Sequence, residues 1–191
     1  MLQTKLRSEG PLLITHWGMS GPAILKLSAW GAIELNGLNY NFDILVNWLP
    51  SWSTEEVVEE LKEFKENLRK QLIIKYAQFD LPKRLWRSLV LASGTTENQK
   101  WADINKKQIV KLAEQLTQSI FKVKGKSTFK EEFVTAGGVD LKEINFKTFE
   151  SKKHDNLYFA GEVLNIDAIT GGFNFQNAWT GGFIVAKAIT S

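Results

Sequence analysis

The pattern of apolar and polar positions divides the chain into three stretches of different character. From Gly10 to Pro50, short apolar runs alternate with turn residues, which is typical of strands. From Ser53 to about Ser119, apolar residues recur every three or four positions, as in amphipathic helices. After Phe121, strand-like runs return and lead into one last helix. We therefore predict an α+β fold in which a helical part interrupts a parent domain.

The first stretch predicts a strand in "GPLLIT", a turn in "HWGMSG" and a helix in "PAILKLSAW", with Pro22 at its first position. Asn36-Gly37 then stands between two alternating runs and predicts a type I′ hairpin, because both residues accept positive φ. One face of the following strand would carry Tyr40, Phe42, Ile44 and Val46.

The second stretch predicts three helices that form a small helical subdomain. Ser53 and Glu56 form a capping box at the first helix, and Asn105 with Gln108 begins the third. The second helix stops at Gly94. The expected core positions are Val57, Leu61, Phe64, Leu68 and Leu72, then Leu85, Trp86, Leu89 and Val90, then Ile109, Leu112, Ala113 and Leu116.

The third stretch predicts strands in "FKVKG", "EEFVTAGGVD" and "NLYFAGE" and a final amphipathic helix. We expect Gly181-Gly182 to allow tight packing of that helix on a sheet. We also expect Trp48, Trp86 and Trp179 to lie in the core. The apolar stripe of the final helix would be Phe175, Ala178, Trp179, Gly182, Ala186 and Ile189.

Two pairs of glycines are the candidate binding elements. One pair opens the last helix, and the other follows a predicted strand. Gly171-Gly172 would let a ligand approach free N–H groups near Asn174, Phe175 and Gln176, at the positive end of the helix dipole. Such a site suits a phosphate or the anionic edge of a reduced flavin. The alternative is a plain turn in which Asn174 is the N-cap. The strand "VTAGGVD" delivers a second pair, Gly137-Gly138, in the same way.

Two polar residues have both a functional and a structural interpretation. Glu162 follows Gly161 at the end of a predicted strand, where it either accepts hydrogen bonds from a ligand hydroxyl or simply faces water. His16 either faces substrate or satisfies the turn backbone, with Trp17 packed beneath it. No spacing of histidines or carboxylates indicates a metal site, so we expect none.

Composition narrows the function classes. The absence of cysteine excludes disulfides and thiol chemistry, and without an export signal we expect a cytoplasmic protein. No apolar run is long enough to predict a membrane span, so no membrane partner is expected. The net charge is +3 and the pI is about 9.0, but lysines and glutamates interleave in the helices. That interleaving favours a solvated surface over a nucleic-acid partner.

Three long motifs resemble one known family. "LLITHWGMSGPAILKLS", "VTAGGVDLKEINFKTFESK" and "LYFAGEVLNIDAITGGFNFQNAWTGG" are similar, in this order, to the BaiN/YhiN-like (aminoacetone-oxidase-like) FAD-dependent oxidoreductases. The resemblance implies a Rossmann-like FAD domain that is interrupted by an insert. Residues 1–51 would end the β-rich part of the insert, 52–120 would be its helical part, and 121–191 would return to the FAD domain, from about Phe129 onward.

The resemblance also implies roles for individual residues. Gly161 and Glu162 would lie by the ribityl chain of FAD, and Gly137 and Gly138 would line its approach. The residues that border the isoalloxazine ring would be Gly171, Gly172, Asn174 and Phe175. Family members often carry Asp at the position of Asn165, which leaves any carboxylate role there open.

No G-x-G-x-x-G fingerprint occurs in the sequence, although the family binds the FAD pyrophosphate with one. We therefore expect a carboxyl-terminal portion of a longer enzyme, or a truncated relative, that binds FAD weakly or not at all alone. Its expected partners are the missing amino-terminal half of the FAD domain, a small-molecule substrate and, through uncovered apolar surface, another copy of itself. The alternative is a non-catalytic binding module, for example for nucleic acid.

Overall fold

The computed structural model describes residues 4–126 and 134–190, and its fold mixes α and β structure. Within those ranges there are six α-helices and three two-stranded sheets. Contacts divide the chain into two compact units, one of residues 43–123 and one that combines the segments before and after it. None of the helices in the described ranges is both long and apolar enough to cross a bilayer.

The helices are α1 (Pro22–Trp30), α2 (Ala32–Gly37), α3 (Thr54–Asn67), α4 (Lys83–Ala92), α5 (Lys106–Thr117) and α6 (Phe173–Ile189). The strands are β1 (Leu13–Ile14), β2 (Met19–Ser20), β3 (Asn41–Val46), β4 (Ser119–Lys124), β5 (Ile144–Asn145) and β6 (Glu150–Ser151). β1 pairs with β2, β3 with β4, and β5 with β6. Short 3₁₀ helices cover Trp101–Asp103, Leu141–Glu143 and Gly161–Val163.

The unit of residues 43–123 packs α3, α4 and α5 around an aromatic core. Trp86 and Trp101 are buried and stacked with ring centroids 6.4 Å apart, and Trp86 Nε1 donates to the carbonyl of Ile73 at 2.8 Å. Trp48 packs against the edge of this cluster. The core positions expected on α5 are all buried, which confirms the helical periodicity there.

Both predicted capping boxes are present. The hydroxyl of Ser53 accepts from the N–H of Glu56, whose carboxylate accepts from the N–H of Ser53. Asn105 and Gln108 make the same reciprocal bonds at the start of α5. α3 nevertheless ends at Asn67, so two expected core positions lie outside the helix: Leu68 is in the turn that follows it, and Leu72 is in a bridge to Lys100.

The first stretch is less β-rich than expected, because two helices occupy much of it. β1 and β2 form a short hairpin in which Leu13 pairs with Ser20, and α1 begins at Pro22 as predicted. The expected hairpin at Asn36-Gly37 is wrong, because both residues end helix α2. α2 buries Leu35 at 6% exposure, and the chain reverses only after the helix, with Asn39 and Tyr40 at positive φ.

β3 follows that reversal, and its alternation is close to the prediction. Ile44 is buried and Phe42 and Val46 are half-buried, whereas Asn41 and Leu45 are exposed. Tyr40 precedes the strand and is not part of it.

Of the three strands predicted in the last stretch, the first forms, as β4. In "EEFVTAGGVD", residues 131–133 lie outside the described residues, as does Phe129, and the rest contributes one parallel bridge between Val139 and Leu164. "NLYFAGE" contributes one antiparallel bridge, between Tyr158 and Glu150. A strand requires hydrogen-bonded neighbours along its length, and within the described residues these two segments find only single bridges.

α6 forms where it was predicted but buries a different face. Trp179 is 71% exposed and Phe175 66%, so the expected stripe faces outward and Trp179 is not a core residue. The buried side is centred on Gly181, where an added Cβ would lie 3.1 Å from the ring of Phe149 and 3.3 Å from Cβ of Ala160. Gly181 thus packs tightly as expected, although against a loop and not a sheet, whereas Gly182 faces open space.

Candidate functional site

The amino-terminal turn of α6 presents its backbone without a side-chain cap. Gly172 is the N-cap, with φ of 85° in the left-handed region that favours glycine, and the first turn carries no acidic residue. The N–H groups of Phe173, Asn174 and Phe175 have no acceptor among the described residues. Three donors at the positive end of a helix dipole can bind an acceptor that carries negative charge.

Asn174 is not the N-cap that was the alternative interpretation. Its Oδ1 accepts from the N–H of Ala168 at 2.9 Å, and its Nδ2 donates to the carbonyl of Ala168, also at 2.9 Å. The side chain therefore satisfies the loop before the helix and leaves the first-turn N–H groups unused. It can position the loop beside a ligand, and a direct contact between its amide and the flavin ring stays a prediction.

Gly137 and Gly138 differ sharply in their surroundings. An added Cβ at Gly138 would lie 2.5 Å from the carbonyl carbon of Leu164 and 2.6 Å from the oxygens of Val163 and Leu164. Gly138 is needed because the backbone of 163–164 passes directly over it, next to the bridge from Val139 to Leu164. An added Cβ at Gly137 would meet nothing within 4 Å, so Gly137 borders open space.

Gly161 and Glu162 lie in the short 3₁₀ helix of residues Gly161–Val163, which packs against α6. An added Cβ at Gly161 would be 3.5 Å from Cβ of Ala178. Gly161 is buried, so the structure gives it a packing role beside any role in binding. Glu162 is exposed and free to accept hydrogen bonds from a ligand or from water.

The structural interpretation of His16 is wrong in its details. Thr15, which the sequence analysis did not single out, closes the turn: its hydroxyl donates to the carbonyl of Gly18 at 3.0 Å and accepts from the N–H of Gly18 at 3.1 Å. Trp17 is 56% exposed and does not pack beneath the turn. His16 is exposed and makes no hydrogen bond within the described residues, so its substrate-side role stays a prediction.

The chemical groups at the start of α6 suit a flavin better than a metal ion. No group of three His, Asp or Glu side chains within the described ranges could hold a metal ion. The uncapped turn offers backbone donors and the exposed rings of Phe173 and Phe175, which are 57% and 66% exposed. Donors to an anionic edge together with apolar surface are what an isoalloxazine ring requires.

Comparison with known proteins decides the family. Residues 2–134 match the family model described as the HI0933-like protein barrel and H2TH domain. This chain belongs to the HI0933-like family. The resemblance to the BaiN/YhiN-like FAD-dependent oxidoreductases is thereby confirmed.

Three relatives are similar over almost the whole of this HI0933-like chain. It is 34% identical to the ribosomal RNA dihydrouridine synthase of Haemophilus influenzae over 94% of the chain, and 32% identical to that of Escherichia coli over 92%. It is 28% identical to the 3-dehydro-bile acid delta(4,6)-reductase of Clostridium scindens over 97%. The matches cover 42%, 41% and 45% of those proteins, so this chain spans less than half the length of the curated relatives it matches.

Proposed function

We propose that this chain is the carboxyl-terminal portion of a FAD-dependent oxidoreductase and that residues 171–175 face the flavin ring. The observation that carries the proposal is the set of three N–H groups in the first turn of α6 that find no acceptor among the described residues, beside a loop that Asn174 holds in place. Reduced flavin carries negative charge on its N1–C2=O edge. Backbone donors at the positive end of a helix stabilise such charge without reorganising.

The remaining candidate residues receive supporting roles in this proposal. Glu162 accepts hydrogen bonds from the ribityl hydroxyls, and Gly137 leaves room for the cofactor where a side chain would project. Gly138 and Gly161 keep the neighbouring backbone segments close together. When bound, FAD supplies the hydride transfer, and the residues of this chain bind it, orient it and stabilise its charge.

The names of the relatives suggest the reaction class. Dihydrouridine differs from uridine by two hydrogens across a carbon–carbon double bond that is conjugated to a carbonyl. The bile-acid reductase, by its name, also acts on a double bond near an oxidised ring carbon. We propose that the whole enzyme reduces a conjugated carbon–carbon double bond. Uridine in ribosomal RNA is the proposed substrate, because the relatives at 34% and 32% identity both carry that name.

The exposed face of α6 supports the expectation that another protein segment covers this helix. Phe175, Trp179 and Phe183 lie one helical turn apart and are 66%, 71% and 72% exposed. An exposed apolar stripe of this kind marks a contact surface. We propose that the remainder of the FAD domain covers it, and that in the isolated chain a second copy does so.

The test is reduction of RNA by the complete flavoenzyme that contains this chain. Unmodified ribosomal RNA is incubated with enzyme whose flavin has been reduced by dithionite, which supplies the electrons. Mass spectrometry then measures dihydrouridine in the digested RNA. Dihydrouridine at a defined position supports the proposal. A protein that holds no flavin when complete contradicts it, and RNA binding without flavin would favour the non-catalytic module.

A further inference from the structure

Charge is distributed unevenly along the unit of residues 43–123. Residues 53–67, which include α3, contain six glutamates and two lysines. Residues 69–123 contain eleven lysines and arginines but four aspartates and glutamates. The interleaving expected from the sequence therefore describes α3 and not the unit as a whole.

The cations of the two regions also differ in their contacts. On α3, Lys62 pairs with Glu59 at 2.7 Å, and Lys65 donates to the carbonyl of Ile104 at 2.8 Å. Among residues 69–123, Arg69 and Arg87 are ion-paired, whereas the eight exposed lysines make neither an ion pair nor a side-chain hydrogen bond within the described residues. Four of these lysines lie on the connected segments 69–72 and 99–108, and we call them the basic surface: Lys70, Lys100, Lys106 and Lys107.

The backbone holds this basic surface in place. Leu72 and Lys100 form an antiparallel bridge, and the N–H of Trp101 donates to the carbonyl of Gln71 at 3.0 Å. Trp101 is buried at 1% exposure, and because side chains alternate along an extended segment, Lys100 points away from the core. Ile104, also 1% exposed, anchors the chain again just before α5 begins.

The placement of Lys106 and Lys107 costs local stability. Both lie in the first turn of α5, which has no acidic residue, whereas α3 begins with Glu55 and Glu56. Cations at the positive end of a helix are unfavourable, whereas the capping box of Asn105 and Gln108 stabilises the same turn. Asp103 is the exposed carboxylate of this segment and lowers the local charge by one. Surface positions that break a local rule are expected where function requires them.

We propose that the basic surface binds the phosphate backbone of RNA. The inference rests on the proposed function, in which ribosomal RNA is the substrate class. Lysines that lack protein partners can contact phosphates without first breaking an ion pair, and such contacts position a nucleic acid without reading its sequence. The glutamates of α3 repel phosphate, so they restrict which part of the unit faces the RNA.

The experiment compares two double variants of the chain. Lys106→Gln/Lys107→Gln removes two charges from the basic surface. The control, Lys142→Gln/Lys147→Gln, removes two exposed lysine charges outside the unit of residues 43–123. Filter binding measures the affinity of each protein for protein-free ribosomal RNA and for duplex DNA of equal length, at several salt concentrations. Circular dichroism verifies that both variants melt like the parent.

We expect the Lys106/Lys107 variant to lose affinity for RNA about five- to eightfold per phosphate contact at 0.1 M salt, and its salt slope to become shallower by about 0.7–0.9 per contact. The control should bind like the parent. Equal losses in both variants, no loss in either, or equally tight binding of duplex DNA would overturn the proposal.

The oxidoreductase proposal and the RNA-binding proposal can fail independently. To separate them, flavin content is measured on the same variants within the complete enzyme. Full flavin content with no effect of the Lys106/Lys107 variant on RNA affinity refutes the basic surface alone. Loss of RNA affinity in that variant, in an enzyme without flavin, supports the basic surface and refutes the oxidoreductase.

Discussion

Asn174 holds Ala168 through both ends of its side-chain amide, in two hydrogen bonds of 2.9 Å to the backbone N–H and carbonyl. One bond needs a donor on Asn174 and the other needs an acceptor, so an amide fits and a carboxylate does not. Because this side chain is committed to the loop, the N–H groups of the α6 first turn are left for another acceptor.

Asn174→Asp is therefore expected to loosen the loop at Ala168. The substitution removes the donor and places a carboxylate oxygen against the carbonyl of Ala168. We expect the free energy of unfolding to fall by about 1 kcal/mol, because the half-buried amide loses its hydrogen bond to the carbonyl of Ala168. Flavin affinity of the complete enzyme should fall as well. Urea denaturation and flavin titration measure the two effects.

Gln176→Glu is the matched control for that variant. It makes the same amide-to-carboxylate change in the same turn of α6, but its side chain is exposed and, within the described residues, hydrogen-bonds to Thr180. Both variants add one negative charge near the helix start, so any difference between them reports the bonds to Ala168. Equal effects of the two substitutions would show that the bonds to Ala168 contribute nothing.

Gly138→Ala and Gly137→Ala form a second matched pair. Both positions have positive φ, so each substitution carries backbone strain of about 1–3 kcal/mol. At Gly138 the new Cβ would also lie 2.5 Å from the backbone of Leu164, which cannot move without breaking the bridge to Val139. We expect Gly138→Ala to lower the melting temperature clearly more than Gly137→Ala. Similar melting temperatures would contradict the close approach.

The parts of the fold that local sequence determines were predicted well. Asn105 and Gln108 begin α5 because both halves of the capping box lie within four residues, and the periodicity after them has one apolar face. The hairpin prediction at Asn36-Gly37 was wrong because the dipeptide that favours a hairpin turn is also favourable at the end of a helix. The helix buries Leu35, and this contact depends on the three-dimensional packing and not on the local sequence.

In the candidate site, too, the local features could be predicted from the sequence and the three-dimensional contacts could not. The glycines that open α6 were found from the sequence because a helix start is a local signal. The orientation of the helix was not, since both faces of α6 are apolar and periodicity cannot say which one packs on Phe149. The bond from Asn174 to Ala168 was missed for the same reason: it joins positions whose distance depends on the loop geometry.

The exposed stripe of α6 predicts self-association of the isolated chain. Burial of an aromatic side chain contributes about 1.5–3 kcal/mol, so Trp179→Gln/Phe183→Gln should weaken a dimer by one or more orders of magnitude. Sedimentation equilibrium measures the dissociation constant. Ile33→Gln, at a position as exposed as Phe183, is the control and should leave it unchanged. An equally monomeric parent protein would contradict this prediction.

The capping box of α3 predicts a pH dependence that the box of α5 lacks. The backbone N–H and then the hydroxyl of Ser53 donate to the carboxylate of Glu56 and lower its pKa below the usual 4.5. The unfolded chain thus binds the proton more tightly. The contribution of Glu56 is present above the ordinary pKa and is lost as pH falls through the lowered one.

Glu56→Gln should therefore flatten the acid limb of the stability profile below about pH 4.5 relative to the parent. Urea denaturation at a series of pH values measures it. Gln108→Glu is the converse variant and should introduce a similar dependence at α5. A parent and a Glu56→Gln variant with parallel profiles would refute the assignment.

The central claim is that the first-turn N–H groups of α6 bind flavin. Hydrogen exchange, measured on the complete enzyme with and without FAD, tests it most directly at Phe173, Asn174 and Phe175. We predict that exchange at these three amides slows when FAD is bound, because they gain the acceptor that the described protein residues do not provide. Unchanged exchange at all three in an enzyme saturated with FAD would contradict the account.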